Sequence, residues 1–284
     1  YSVDVQVRDE AKVKKTVKNN QIQFQVKPDS YHFEVKGTKE LTHRPVIIGT
    51  GPAGLFCGYM LAAHGYQPIL LERGADVDQR TKDVEAFWEN GQLNLSSNVQ
   101  FGEGGAGTFS DGKLNTLVKD KFGRNHEVLR IFAEHGAPES ITYESKPHIG
   151  TDVLTAVVKE MRKYICVHGG EVRFHSQVTD IQTHSDNGQK ILRKLKIYDS
   201  QKKETYLLDT DLAVFAIGHS ARDTFSMLYH HGLPMQPKAF AVGVRIEHPQ
   251  EMINQDQYGK NYPSFLPAAP YKLTANLDNG RGVY

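Results

Sequence analysis

The stretch from Pro45 to Gly74, PVIIGTGPAGLFCGYMLAAHGYQPILLERG, restricts the fold more than any other part of the chain. Val46, Ile47 and Ile48 are a short β-branched run suited to a parallel strand covered on both faces. Gly49, Gly51 and Gly54 follow directly in a GxGxxG pattern. The first glycine permits a tight turn, the second lets backbone approach a pyrophosphate, and the third lets a helix pack close to the strand. The spacing predicts that helix from about Pro52 to His64, with Leu55, Tyr59, Leu61 and Ala62 on its apolar face and Gly65 at its C′ position. Pro52 and Ala53 open it, where free N–H groups favour an anion by roughly 0.3 to 1 kcal/mol, and ~2 when partly buried. A second strand, Pro68 to Leu71, ends in Glu72, 18 residues beyond Gly54, where a carboxylate takes ribose hydroxyls and disfavours a 2′-phosphate. The unit therefore points to FAD or NAD rather than NADP.

Lys+Arg 34 against Asp+Glu 33 leaves a net charge of +1, so the whole chain is not built to bind a polyanion, and the total argues against nucleic acid as a partner. The lysine-rich start, with acidic residues interspersed, reads as a solvated face. Cys57 and Cys166 form no CxxC pair and suggest reduced thiols. No basic-then-apolar leader and no apolar run near 18 residues is found, and the expectation is a soluble, cytoplasmic protein without a membrane partner. The 284 residues suffice for a sizeable core. Residues 1–40 read as a small N-terminal α+β unit, with strands in YSVDVQV, QIQFQV and YHFEV around a lysine-rich helix, followed by a linker. Residues 41–234 read as the Rossmann-like domain, with an insert about 119–147, and 235–284 as the start of a substrate or cap region.

Beyond Gly74 comes a polar helix-like stretch with the only Trp, and then FGEGGAGTFSDGKLNT, Phe101 to Thr116. Its glycines free backbone N–H groups to line a concave, anion-accepting wall, to which Thr108 and Ser110 add hydroxyls. A second wall suits a long cofactor with a flavin end. A helix is expected around His126 to His135 and a stronger one from Thr151 to Val167, where Val153, Leu154, Val157, Val158 and Met161 recur at helical spacing. His126, His135 and His148 make no metal pattern. Strands follow at Glu171 to Gln182, Gln189 to Asp199 and Glu204 to Ile217, a three-stranded meander joined by SDNG and DSQKK turns. The run LAVFAIG, Leu212 to Gly218, is expected in the middle of a covered sheet. His219 beside it is either structural or a proton carrier.

With these segments quoted, the chain resembles the FAD-dependent dehydrogenases of the glutathione-reductase-like, two-dinucleotide-binding flavoprotein superfamily, and within it a bacterial group bearing the glycine-rich FSDGK segment. The resemblance runs from about Arg44 to the C-terminus, and FGEGGAGTFSDGK is its most specific part. It implies an α/β fold, a Rossmann-like FAD-binding domain with a parallel central sheet and a β-meander. It also implies that Gly49, Gly51, Pro52, Ala53 and Gly54 hold the FAD pyrophosphate, and that Glu72, with Arg73 beside it, meets the ribose. Gly104, Gly105, Ala106, Gly107, Thr108, Ser110, Asp111, Gly112 and Lys113 would lie beside the ribityl chain and flavin. Backbone near Val178 would meet adenine, and Ala216 and Gly218 would end a strand at the cofactor. The chain stops at Tyr284, before the segment with which such proteins close over the flavin, so the expectation is a fragment or an incomplete site.

The leading expectation is an FAD-dependent oxidoreductase moving a hydride between a small organic substrate and flavin, with NAD(P)H as candidate electron donor. Lys113 is the candidate positive charge near the flavin, and Asp111 or His219 the candidate proton carrier. The alternatives are an NAD-dependent dehydrogenase using the first motif alone, and a non-catalytic flavin-binding or RNA-associated scaffold. The sequence leaves the oligomeric state open.

Overall fold

Four three-residue strands, two of them buried on both faces and two half-buried, form the parallel sheet of the first 234 residues. The structure is a computed structural model that describes every residue except 1, 2, 4, 18–21, 25–30, 39, 111, 115, 117–119, 145, 241, 245 and 284. After helix α1 (Glu10–Thr16) come strand β1 (Val46–Ile48), helix α2 (Pro52–Ala63), strand β2 (Ile69–Leu71), and helices α3 (Val77–Asn90), α4 (Arg124–Glu134) and α5 (Thr151–Val167). Strands β3 (Glu171–Arg173), β4 (Ser176–Asp186), β5 (Gln189–Asp199), β6 (Glu204–Asp209) and β7 (Ala213–Phe215) follow, then helices α6 (Arg222–His230) and α7 (Gln250–Tyr258) and the short hairpin β8 (Ala275–Asn276) and β9 (Gly282–Val283).

The four short strands pair in parallel in the order β3-β2-β1-β7, with Ile47 opposite both Leu70 and Val214. Side chains alternate across a strand. Ile47 and Leu70 therefore point into one core, with Leu55 and Tyr59 of α2, Leu129 and Phe132 of α4, and Val157, Met161 and Ile165 of α5. Val46, Ile48, Ile69 and Leu71 point the other way, into a second core with Val178, Ile181, Leu195 and Ile197 of the meander and Leu228 of α6. The architecture is thus α/β in three layers, helices, parallel sheet and the antiparallel β4-β5-β6 meander.

Two extended runs that the sequence presents as single strands each divide between the sheets. The first breaks at His175, whose φ of 54° turns the chain from β3 into β4. The other breaks at Thr210, whose hydroxyl donates to the Leu212 carbonyl at 2.9 Å, between β6 and β7. The LAVFAIG run supplies an edge strand, β7, rather than a central one. Its apolar character is explained by covered faces, not by a strand on each side. Asn187-Gly188 closes the β4–β5 hairpin with φ of 50° and 78°, the left-handed pair such a turn needs.

Among the described residues of 1–40 there is a helix, capped by Asp9, but no strand: Val5, Val7 and the 31–35 stretch lie outside any β-ladder. Alternation makes a strand only where a partner accepts its hydrogen bonds. Residues 21, 25 and 26, half of QIQFQV, lie outside the described residues. Tyr1–Pro234 and Met235–Tyr284 separate into two compact units. In the second, Asn254 holds α7 to the following loop, its Oδ1 accepting from the Ala269 N–H at 2.8 Å and its Nδ2 donating to Tyr262 Oη at 3.0 Å. Among the described residues no helix is long and apolar enough to cross a membrane.

Candidate functional site

The carboxyl ends of β1, β2 and β7 carry the first glycine turn. Gly49 leaves β1 with φ 99°, against the Ala216 carbonyl just past β7, and the Ala216 N–H donates to the Ile48 carbonyl at 2.8 Å. Gly51 is the N-cap of α2 in an extended conformation, without a side-chain cap among the described residues, and Pro52 starts the helix. A Cβ at Gly51 would meet only Gly105 Cα at 3.9 Å, whereas one at Gly54 would lie 1.9 Å from the Gly49 carbonyl oxygen. Gly51 is open and Gly54 is closed. The α2 N-terminus thus presents uncapped N–H groups under a cradle that a side chain would fill, which fits a phosphate.

Glu72 is buried at the end of β2 and serves as a four-way joint. Its Oε2 accepts from the Thr50 N–H at 2.8 Å and hydroxyl at 2.9 Å, and its Oε1 from the N–H groups of Gly74 at 2.9 Å and Gly102 at 3.0 Å. These donors match the roughly four lone-pair sites of a carboxylate. The acid that the sequence assigns to ribose hydroxyls is therefore committed to holding the first turn, the exit from β2 and the second glycine-rich segment together. Arg73 points sideways, donating to Asp223 Oδ1 and Thr224 Oγ1, each at 3.0 Å, with its guanidinium 4.5 Å from the centre of the Phe101 ring.

The second segment lies directly on the first turn. The Gly104 N–H donates to the Thr50 carbonyl at 2.9 Å, and a Cβ at Gly105 would come within 2.8 Å of Pro52 Cδ. Gly102, Glu103, Gly104 and Gly105 all spend their N–H groups inside the protein, on Glu72 Oε1 and on the carbonyls of Ala75, Thr50 and Gly102. Along 102–105 the glycines thus serve close backbone approach rather than an open anion-accepting wall. Beyond them, Ala106 is exposed, Thr108 is buried, and Ser110 Oγ donates to the Gly107 carbonyl at 2.8 Å.

Arg80, from α3, organises this segment. Its Nε donates to the Asn98 carbonyl at 2.9 Å and its Nη2 to that of Val99 at 2.9 Å. Its Nη1 donates to the carbonyls of Glu103 at 2.6 Å and Gly105 at 2.8 Å and to Thr108 Oγ1 at 3.1 Å. Burial pushes the guanidinium down to about 10, against the pull of Glu72 and Glu103. Glu103 is buried beside it, Oε2 accepting from the Val77 N–H at 2.8 Å. Its Oε1 faces Arg162 Nε of α5 at 2.8 Å, off the line of a hydrogen bond, so that contact is an ion pair. Burial pushes Glu103 up to about 7, outweighing the pull of Arg162 and the Val77 amide.

Arg80, Glu103 and Arg162 are absent from the sequence-based candidates. The signal was present for the first of them: Arg80 falls between Val77 and Val84 on the buried face of α3, where an arginine needs an explanation.

The structure does not gather every candidate here. Gly112 and Lys113 pair with 147–149, the Ile149 N–H donating to the Gly112 carbonyl at 2.8 Å and Lys113 bridging to His148. Val178 sits in β4 opposite Ile197, its side chain in the core between the sheets. Gly218 and His219 are exposed beyond β7, with His219 Nε2 3.5 Å from Ser220 Oγ. Asp111 lies outside the described residues.

Residues 239–284 match the family described as FAD-dependent protein, C-terminal domain-like. A Clostridium beijerinckii protein named only as uncharacterized is 47% identical over 287 residues, which take in 100% of this chain and 51% of that protein. The chain thus spans about half the length of this curated relative. Among solved structures, Thermovibrio ammonificans THI4 has a TM-score of 0.44 at 20% identity, covering 66% of this chain and 62% of that one. The flavin-dependent monooxygenase PieE, in complex with FAD and substrate, has a TM-score of 0.39 at 15% identity, covering 65% of this chain and 32% of its own.

Proposed function

We propose that the chain binds FAD across the carboxyl ends of β1, β2 and β7 and belongs to a flavin-dependent oxidoreductase that moves a hydride between a small organic substrate and flavin, in the manner of the glutathione-reductase-like dehydrogenases. The observation that carries this reading is the joint between the two glycine-rich segments. Gly104 is bonded to Thr50 and Gly105 packs against Pro52, so the phosphate turn continues into a second backbone wall. An NAD site built on the first motif alone leaves that wall unused. The family match of residues 239–284 adds the same cofactor from a separate part of the chain.

In this reading the pyrophosphate is held by the N–H groups of Gly51, Ala53 and Gly54 at the start of α2. The adenosine side lies toward Glu72 and Arg73. Because Glu72 already accepts from four donors, a ribose hydroxyl would bond to the carboxylate only by displacing one of them. The ribityl and flavin side runs along Gly104 to Lys113. Bound flavin supplies the electron chemistry, and the protein orients it and excludes water. Lys113 is proposed to place a positive charge by the flavin, and Asp111 or His219 to carry a proton.

The test is a visible absorption spectrum of the purified chain, with mass identification of any small molecule released on denaturation. Released FAD, or uptake of added FAD in preference to NADH, is the expected result. A colourless chain that takes up NADH but not FAD would overturn the proposal.

A further inference from the structure

We infer that Arg80 is the positioning residue that shapes the second glycine-rich segment for the flavin half of the dinucleotide, an inference that rests on the FAD reading above. Its side chain is fully buried, and a buried guanidinium is costly unless its N–H groups are satisfied. Among the described residues its side-chain hydrogen bonds all run to one segment, to the carbonyls of Asn98, Val99, Glu103 and Gly105 and the Thr108 hydroxyl. The Phe109 ring closes the same segment over it, 4.8 Å from the guanidinium carbon to the ring centre. The segment has also left room for the Arg80 stem: a Cβ at Gly102 would lie 2.4 Å from Arg80 Cδ.

The direction of these bonds links Arg80 to the site. In a planar trans peptide the C=O and N–H point opposite ways. Drawing the Glu103 carbonyl inward turns the Gly104 N–H outward, and it meets the Thr50 carbonyl of the phosphate turn at 2.9 Å. Drawing the Gly105 carbonyl inward turns the Ala106 N–H away from Arg80 in the same manner. Arg80 thereby sets which way the wall's peptides face while it stays hidden behind them. A lysine would keep the charge but not the fork, because its three donors spread from one nitrogen.

The experiment titrates the full chain separately with FAD, by flavin fluorescence, and with ADP, by calorimetry. ADP uses the first turn and the end of β2, and FAD adds the wall. In Arg80→Lys the Kd for FAD is expected to rise at least tenfold and that for ADP less than threefold. In Thr108→Val, which removes one acceptor of Arg80 and leaves the guanidinium in place, the Kd for FAD is expected to rise about threefold, with ADP and the circular dichroism spectrum unchanged. A general loss of stability would weaken both ligands together. Parallel weakening of FAD and ADP, or an unchanged FAD affinity, would overturn the inference. Should Arg80→Lys fail to fold, the FAD-to-ADP split in Thr108→Val decides the matter alone: a split supports the inference and equal effects refute it. Wild-type chain that binds ADP but no FAD would overturn the FAD reading itself, and this inference with it.

Discussion

Gly51→Ala and Gly54→Ala should fail in opposite ways, although the two glycines are three positions apart in one motif. Gly51 has φ −66° and ψ −178°, extended backbone that any residue adopts. An added methyl there would touch only Gly105 Cα at 3.9 Å, an ordinary contact. The weaker N-cap preference of alanine costs about 0.5 to 1 kcal/mol. The smaller unfolded-state entropy of alanine returns about 0.4 to 1 kcal/mol. Stability should therefore stay within about 1 kcal/mol of wild type. The methyl would nevertheless take the place proposed for the pyrophosphate, and FAD affinity should fall at least tenfold, or about 1.4 kcal/mol. In Gly54→Ala the Cβ would lie 1.9 Å from the Gly49 carbonyl oxygen and 3.3 Å from Ala216 Cβ. Alanine gains about 0.5 to 1 kcal/mol in a helix. Forcing a methyl into packed backbone costs about 1 to 3 kcal/mol and more where nothing can move. This variant should be less stable by roughly 2 kcal/mol, and its FAD site should be lost together with the close fit of α2 to β1. Urea unfolding and FAD fluorescence titration on the same samples separate the two effects. Wild-type FAD affinity in Gly51→Ala would show that the turn does not hold the pyrophosphate. Wild-type stability in Gly54→Ala would show that the close approach of α2 does not matter.

Glu72→Gln keeps the shape of the joint but turns an accepting oxygen into a donating amide, facing N–H groups with nowhere else to bond. At about 1.5 to 3 kcal/mol for each hydrogen bond to a charged group, the variant should lose roughly 3 kcal/mol or more in denaturant unfolding; a loss below about 1 kcal/mol would show that Glu72 is not the fastener. Glu103 sits near 7 in the folded chain against 4.5 ordinarily, so the folded state binds the extra proton. Its contribution is present below pH 4.5 and is lost as pH rises through about 7, by at most ~3 kcal/mol. Glu103→Gln should therefore flatten the fall in stability between pH 5 and 8, and equal slopes in variant and wild type would refute this. Lys113→Ala should lower the flavin reduction potential and slow turnover while leaving ADP binding unchanged; an unchanged potential would remove Lys113 from the flavin's surroundings.

Much of the scaffold could be read from the sequence because its signals are local. The β-branched run at Val46 to Ile48, Pro52 at the start of α2 and Gly65 with φ 80° at its end are each decided within a few residues. The apolar spacing of α5 likewise gives its bounds, Thr151–Val167. The site was less legible because its contacts are distant in sequence. Nothing beside Glu72 announces that the Gly102 N–H, from another loop, will take one of its oxygens. Glycines that look like an open wall are glycines because Arg80 and Pro52 press on them, and only the folded chain brings those side chains near. The division of the strand at Thr210 depends on a hydroxyl that finds Leu212, and β7 then pairs with β1.

That last pairing governs when the site can exist. The register sets Val46 opposite Ala213, so the sheet closes a loop of ~165 residues, at an entropic cost of about 4 to 5 kcal/mol before the pairing is rewarded. β1, α2 and β2 are neighbours in sequence and can associate early, whereas the Ala216 carbonyl that backs Gly49 arrives only after the meander has been made. On a ribosome the first glycine turn would emerge long before its floor. Cofactor capture should therefore be a late event in the life of the nascent chain, and chains released before about residue 216 should hold a glycine turn with no crevice behind it.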